Sequence, residues 1–166
     1  MSDKQTLIYW VDLTGPAVFD EIVRLTIMDI NNNVLFNHIF NTKIVEWWYS
    51  DLNGVDPDDV ADEPAFDDFK DEIQGIFNQA NKLVTFYAHT EYLEEQGVKI
   101  PTNTQIDDLA DDFRVMGDES DTIEKLCDYY GFTQLPKNIL DRTGVINAKA
   151  VNHCYKEMIY RKVQEN

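Results

Sequence analysis

A β-favouring apolar run, Leu7-Ile8-Tyr9-Trp10-Val11, leads into Asp12 and then Leu13-Thr14-Gly15, so one carboxylate stands at the end of a buried strand. A second, Glu91, follows Val84-Thr85-Phe86-Tyr87-Ala88-His89-Thr90, a strand-like stretch passing into a helix. Strand ends and helix starts hold side chains firmly. Hydrolysis of phosphodiesters by two metal ions needs several carboxylates converging where the ions sit ~3.5–4 Å apart. Asp12, at a strand end, could hold one such cation. The plainer role for Asp12 is a turn or cap, and His89, which could be recruited as a ligand or base, reads first as an exposed helix start. His38 and His153 stand in no motif.

The elements that must position these groups follow from hydrophobic periodicity. Residues 6–12 read as a strand, with a Gly15-Pro16 turn after it. Residues 21–29 and 33–40 read as two more, joined by Asn31-Asn32, which implies an antiparallel meander. Phe66, Phe69, Ile73, Ile76 and Phe77 recur at helical spacing behind Pro64, with acids at the start, where the helix dipole favours them. Residues 83–87 read as a strand and 90–96 as a short helix closed by Gly97. Ile106, Leu109 and Phe113 suggest another helical face. A helix over 120–130 ends at Gly131, and Ala148, Val151, Tyr155, Met158, Ile159 and Lys162 mark a last one. Strands first, then helices alternating with a strand, describe an α/β layer fold with a mixed sheet.

The 166 residues, 43% of them hydrophobic, support one compact domain spanning 1–166. The apolar runs are far shorter than the ~20 residues a membrane helix needs. Met-Ser-Asp-Lys-Gln-Thr lacks the basic region of a signal peptide, so a soluble cytoplasmic protein without membrane contact is expected. Cys127 and Cys154 lie on apolar helical faces without ligand-like spacing and read as reduced core residues.

The formal net charge is −17. Residues 51–72 carry −9 and residues 107–124 carry −7, so two segments hold nearly all of it. Such a field repels polyphosphate over a Debye length of ~8 Å at physiological salt, whereas nucleic-acid binders display basic faces. Unaided binding of nucleic acid is disfavoured. A basic protein surface is the expected partner class, with Asp58, Asp59, Asp62, Asp67 and Asp68 as candidate contacts; a merely solubilising surface is the bland alternative. Trp47-Trp48-Tyr49 could stack on bases, although the acids after it favour core packing or a protein contact.

In their order and local motifs these elements resemble the DEDDh, or DnaQ-like, proofreading-type 3′–5′ exonucleases of the ribonuclease H-like fold, over roughly residues 6–162. That family opens with strand–D-x-E-T-T-G and a D-x-I-[IV]-E-[IL]-[GA] strand. The counterparts are Tyr9-Trp10-Val11-Asp12-Leu13-Thr14-Gly15 and Asp20-Glu21-Ile22-Val23-Arg24-Leu25-Thr26. The segment from Asn53-Gly54-Val55 to Pro64-Ala65-Phe66 is similar to the family's H-G-I-T loop leading into a helix.

The resemblance implies a three-layer ribonuclease H-like domain: a mixed sheet, its first three strands mainly antiparallel, flanked by helices. It also implies a site in which the chemistry is degraded. Without a gap, Trp10 replaces the first aspartate and Asp12 the glutamate; with two residues deleted, the favoured alignment, Asp12 is the first aspartate and the glutamate is absent. Glu91 stands one methylene longer in place of the second-motif aspartate. Arg142-Thr143-Gly144-Val145-Ile146-Asn147-Ala148 takes the place of H-x-A-L-x-D-A, so both the general base and the last metal-binding acid are changed. Asp12, Glu91, Arg142 and Asn147 are therefore degenerate positions. Asp12 and Glu91 are the remaining metal candidates, but no cofactor is expected. The leading expectation is a pseudoenzyme that binds a protein partner of nucleic-acid metabolism. The alternatives are a Mg- or Mn-dependent 3′–5′ exonuclease drawing on Asp107, Asp108 or Asp141, and an acidic mimic of nucleic acid.

Overall fold

The computed structural model describes residues 5–115 and 122–165. Strand β1 (Gln5–Leu13) pairs antiparallel with β2 (Ile22–Asp29), and β2 pairs antiparallel with β3 (Val34–Ile39). After two single-turn helices, α1 (Ser50–Asn53) and α2 (Pro57–Val60), a 3-10 turn over Phe66–Phe69 leads into α3 (Lys70–Phe77). Strand β4 (Ala80–Thr85) returns beside β1 in parallel, followed by α4 (Thr90–Glu95). Strand β5 (Gln105–Asp108) extends the sheet in parallel. Helices α5 (Leu109–Val115), α6 (Ile123–Tyr130) and α7 (Gly144–Glu165) complete the described chain. The sheet order is β3-β2-β1-β4-β5. This is the mixed, three-layer α/β arrangement expected from the sequence.

Alternation along β1 explains the layers, because successive strand residues face opposite sides. Leu7, Tyr9, Val11 and Leu13 join Ile73 and Phe77 of α3 and Leu93 of α4 in one core. Ile8 faces the other way, into a second core with Leu126 of α6 and Val151 and Cys154 of α7. Trp10 packs against that second core, and Asp12 shares its face. Strand β2, covered on both sides, is buried from Ile22 through Met28.

Two local readings are corrected. Residues 105–108 form an edge strand rather than the start of a helix; Gln-Ile-Asp-Asp has little β propensity and pairs only because β4 offers it a free edge. The turn of α1 and the Pro57 turn of α2, the latter closed by a reciprocal capping box between Asp56 and Asp59, stand where the sequence shows only acids. The expected helix start at Ser120 lies outside the described residues. Cys127 and Cys154 are free and buried. Among the described residues, no helix is long and apolar enough to cross a membrane.

Candidate functional site

Position on the sheet sets Asp12 beside a cation. Asp12 of β1 lies directly opposite Arg24 of β2 in the antiparallel register, and Trp10 lies opposite Thr26. Residues paired this way, and residues two apart on one strand, share a face. The guanidinium Nε of Arg24 accordingly donates to Asp12 Oδ2 at 2.7 Å, and the Trp10 indole N–H donates to Asp12 Oδ1 at 2.9 Å. Arg24 also donates to the carbonyl of Asn53 at 3.3 Å, and the Asn53 amide donates to the carbonyl of Leu13 at 2.9 Å. The loop ahead of α2 is thereby tied to the end of β1.

These groups floor a cleft of about 450 Å³. Trp10 and Phe86, stacked with centroids 6.5 Å apart, Ile123 of α6 and Ile139 make much of its wall. Tyr49 and Leu52 line its opposite lip, and Arg142 and Asn147 close it from the α7 side.

The four degenerate positions have different fates. Asp12 is 7% exposed, and burial pushes its carboxyl above the ordinary aspartate range although Arg24 and the Trp10 hydrogen bond pull the other way. Glu91 sits in the first turn of α4, exposed, and does not line the cleft; its charge nevertheless reaches His89, as does that of Asp12. Arg142 is not the cation that meets Asp12. It donates to the Glu124 carboxylate and to the carbonyl of Pro136, leaving Arg24 to neutralise the strand-end acid. Asn147, one turn into α7, is buried with its Oδ1 lacking a hydrogen-bond donor.

His89, expected at an exposed helix start, is instead half-buried and lines the cleft at the N-cap of α4 with φ of 50°. Burial lowers its pKa against the opposing charges of Glu91, Asp108 and Asp12. Of the substitute acids, Asp107 pairs with Lys82, and Asp108 accepts from the backbone N–H of Tyr87 and Ala88 and so holds the β4–α4 loop. Asp141 is exposed in a 3-10 turn. Asp58, Asp59, Asp62, Asp67 and Asp68 are all exposed.

The resemblance implies Mg or Mn, and these residues do not fit a two-metal centre. Asp12 is already neutralised by Arg24 and hydrogen-bonded by Trp10, Glu91 does not line the cleft, and the amide of Asn147 brings no charge. Among the described residues, no group of three or more His, Cys, Asp or Glu gathers as a metal site. Arg24, Trp10 and Asn53 are the site residues that sequence reasoning missed. The signal was present in Arg24, the lone cation of a strand buried from Ile22 through Met28.

The likeness to solved structures is one of fold. The structural neighbours are DEDDh-type exonucleases, and this chain has their fold. It superposes on the Neurospora crassa Pan2 catalytic unit (protease and nuclease domain) with a TM-score of 0.75 at 11% identity, covering 97% of this chain and 28% of that one. The E. coli exonuclease I structure with a 5cy-dT13 oligonucleotide gives a TM-score of 0.74 at 11% identity, covering 98% and 42%. Exonuclease X in complex with 5′ overhanging duplex DNA gives 0.64 at 13% identity, covering 94% and 92%. The chain thus spans less than half the length of the first two. No family model and no curated protein matches the sequence.

Proposed function

We propose that this protein is a catalytically degenerate member of the exonuclease-fold class that acts by binding a protein partner with a basic surface. The observation that carries this reading is the double engagement of Asp12: its carboxylate already pairs with the Arg24 guanidinium and accepts from the Trp10 indole, so a metal ion there would bring its charge beside a fixed cation. Metal ions in such sites are the largest local charges and demand acids, not a fixed cation.

The surroundings support a protein ligand. The cleft wall is aromatic and aliphatic, and its lip continues into exposed apolar side chains, with Leu52 60% and Trp48 74% exposed. The acids of residues 51–72 follow directly. Apolar anchors inside a charged rim are how protein interfaces combine affinity with steering. A nucleic-acid mimic is a second reading, favoured by the exposure of the five aspartates between 58 and 68.

Two measurements test this. Purified protein is expected to release no nucleotide from 3′-labelled single-stranded DNA or RNA with Mg²⁺ or Mn²⁺; loss of a general base alone removes ~10²–10⁴-fold. Activity that copurifies and disappears in Asp12→Ala or Glu91→Ala would restore the exonuclease reading. Binding of partners from native extract is expected to weaken as salt rises, and when Asp58, Asp59, Asp62, Asp67 and Asp68 are changed together to Asn. Retained binding in that folded variant makes the acids merely solubilising. Displacement of the partner by duplex DNA favours the mimic, and tight binding of the wild type to bare DNA rejects both.

A further inference from the structure

Strand β3 is an edge of the sheet: among the described residues, no strand pairs with its outer side. Native proteins guard such edges with charges, prolines or cover, because a row of unmet backbone groups is a template for another strand. The opposite edge, β5, carries Asp107 and Asp108. By contrast β3, Val-Leu-Phe-Asn-His-Ile, holds no acid, lysine, arginine or proline, in a chain of net charge −17. Val34 and Leu35 are 47% and 40% exposed, and Asn37 and His38 are exposed as well.

The register shows which backbone groups are open. The N–H of Phe40 donates to the carbonyl of Val23 at 2.9 Å, continuing the ladder in which Ile39 lies opposite Arg24 and Asn37 opposite Thr26. Antiparallel pairs alternate between bonded and non-bonded. Phe36 and His38 therefore bond to β2, while Asn37 and Ile39 turn their N–H and C=O groups outward. Leu35 is the extra residue of a bulge, so the regular open ladder runs from Phe36 to Ile39.

Both faces of that ladder are flanked by acids. On one, the His38 ring stacks on Phe69 with centroids 4.6 Å apart, and Phe69 stands in the chain among the exposed Asp67, Asp68, Asp71 and Glu72. The base in that stretch, Lys70, pairs with Asp67. Ile39 faces the other way and packs against the cluster of Val23, Val55 and Val60, the last from the α2 turn that exposes Asp58 and Asp59. The aspartates that the sequence marks as candidate contacts thus belong to two segments packed on opposite faces of one open strand.

We propose that β3 is the docking edge for an extended, lysine- or arginine-rich segment of a partner protein, which adds to the five-stranded sheet with its backbone on Asn37 and Ile39 and its cations toward the flanking acids. This rests on the basic-partner reading and adds where, and in what conformation, the partner binds. In strand addition the main chain supplies affinity and the side chains specificity. A second copy of this chain fits worse, because two-fold pairing through β3 would bring the same acids together. The chain from Leu52, at the cleft lip, to Val60 joins this edge to the cleft, so one partner can engage both.

The test uses the full-length chain and a capped synthetic peptide of alternating lysine and valine, followed by amide chemical shifts and hydrogen exchange at low, fixed ionic strength. Saturable shifts are expected at residues 34–40 and none at 105–108, with slowed exchange of the Asn37 and Ile39 amides at saturation. The same peptide N-methylated throughout keeps its charge but cannot pair, and should bind at least about tenfold more weakly, as the loss of backbone hydrogen bonds implies. A glutamate–valine peptide should not saturate. Absence of saturation, equal binding of the N-methylated peptide, or shifts confined to cleft residues such as Trp10 and Phe86 would overturn the docking edge while leaving the basic-partner reading to the extract experiment. Equal binding of the glutamate peptide would overturn both. Protection of Asn37 and Ile39 that grows with protein concentration, without peptide, would overturn the proposal in favour of a second copy.

Discussion

Asp12 and Arg24, paired across two antiparallel strands, form a 2.7 Å ion pair with side chains 8% and 10% exposed. The guanidinium comes from the strand itself, so its position is fixed by sheet register and not by a mobile loop.

Breaking that pair from one side should be costly. Arg24→Ala strands a buried carboxylate and is expected to destabilise by ~3–5 kcal/mol in urea unfolding, whereas replacing both partners, as in Asp12→Leu/Arg24→Met, should be close to neutral. Equal costs for the single and double variants would mean that the pair contributes little beyond packing.

Divalent ions should leave the fold indifferent. Any ion that binds only the native state raises its melting temperature with concentration. Millimolar Mg²⁺ or Mn²⁺, and an excess of EDTA, are expected to leave the melting temperature unchanged. A rise with Mn²⁺ that vanishes in Asp12→Ala would place an ion at the strand end.

The half-buried His89 sets a pH dependence. Its pKa lies below the ordinary 6.5 because burial disfavours the imidazolium, more than Glu91, Asp108 and Asp12 favour it. The unfolded chain thus binds the proton more readily, so the contribution of His89 is fully present above pH 6.5 and is lost as pH falls through the lower, folded-state value. Unfolding free energy should decline across that window in the wild type and decline less in His89→Gln. Parallel profiles would show that His89 is not the titrating group.

Close packing of α7 on β2 gives a further expectation. A Cβ at Gly144 would stand 2.0 Å from Thr26 Oγ1 and 3.4 Å from Arg24 Cδ. Gly144→Ala should cost ~1–3 kcal/mol through overpacking, and Thr26→Ala in the same chain should recover part of it. Strictly additive losses, measured by denaturant unfolding, would show that the helix moves aside instead.

What the sequence disclosed follows the strength of its local signals. The apolar runs of β1, β2 and β4 and the helical spacing of Phe66 to Phe77 were legible, because burial on one or both faces writes itself into periodicity. Strand β5 was not, since an acidic edge strand is held by pairing to β4 and not by its own propensity. Asp12 was found from its place at a strand end, but its partner, Arg24, was not. Only the cross-strand register, which no single segment encodes, brings that pair together. The hydrogen bonds that the Asn152 amide N–H groups donate from α7 were invisible for the same reason: the acceptors, on Ile30 and Asn32, lie more than a hundred residues away.

The stacking of Trp10 on Phe86 has an optical consequence. An indole whose N–H is held by a carboxylate and whose face lies on another ring emits in an environment that any occupant of the cleft must alter. The other two tryptophans, Trp47 and Trp48, sit in the segment leading to its lip. The chain therefore carries its own fluorophores at the place where a partner would dock, and occupancy of the cleft can be followed by intrinsic emission, without any label.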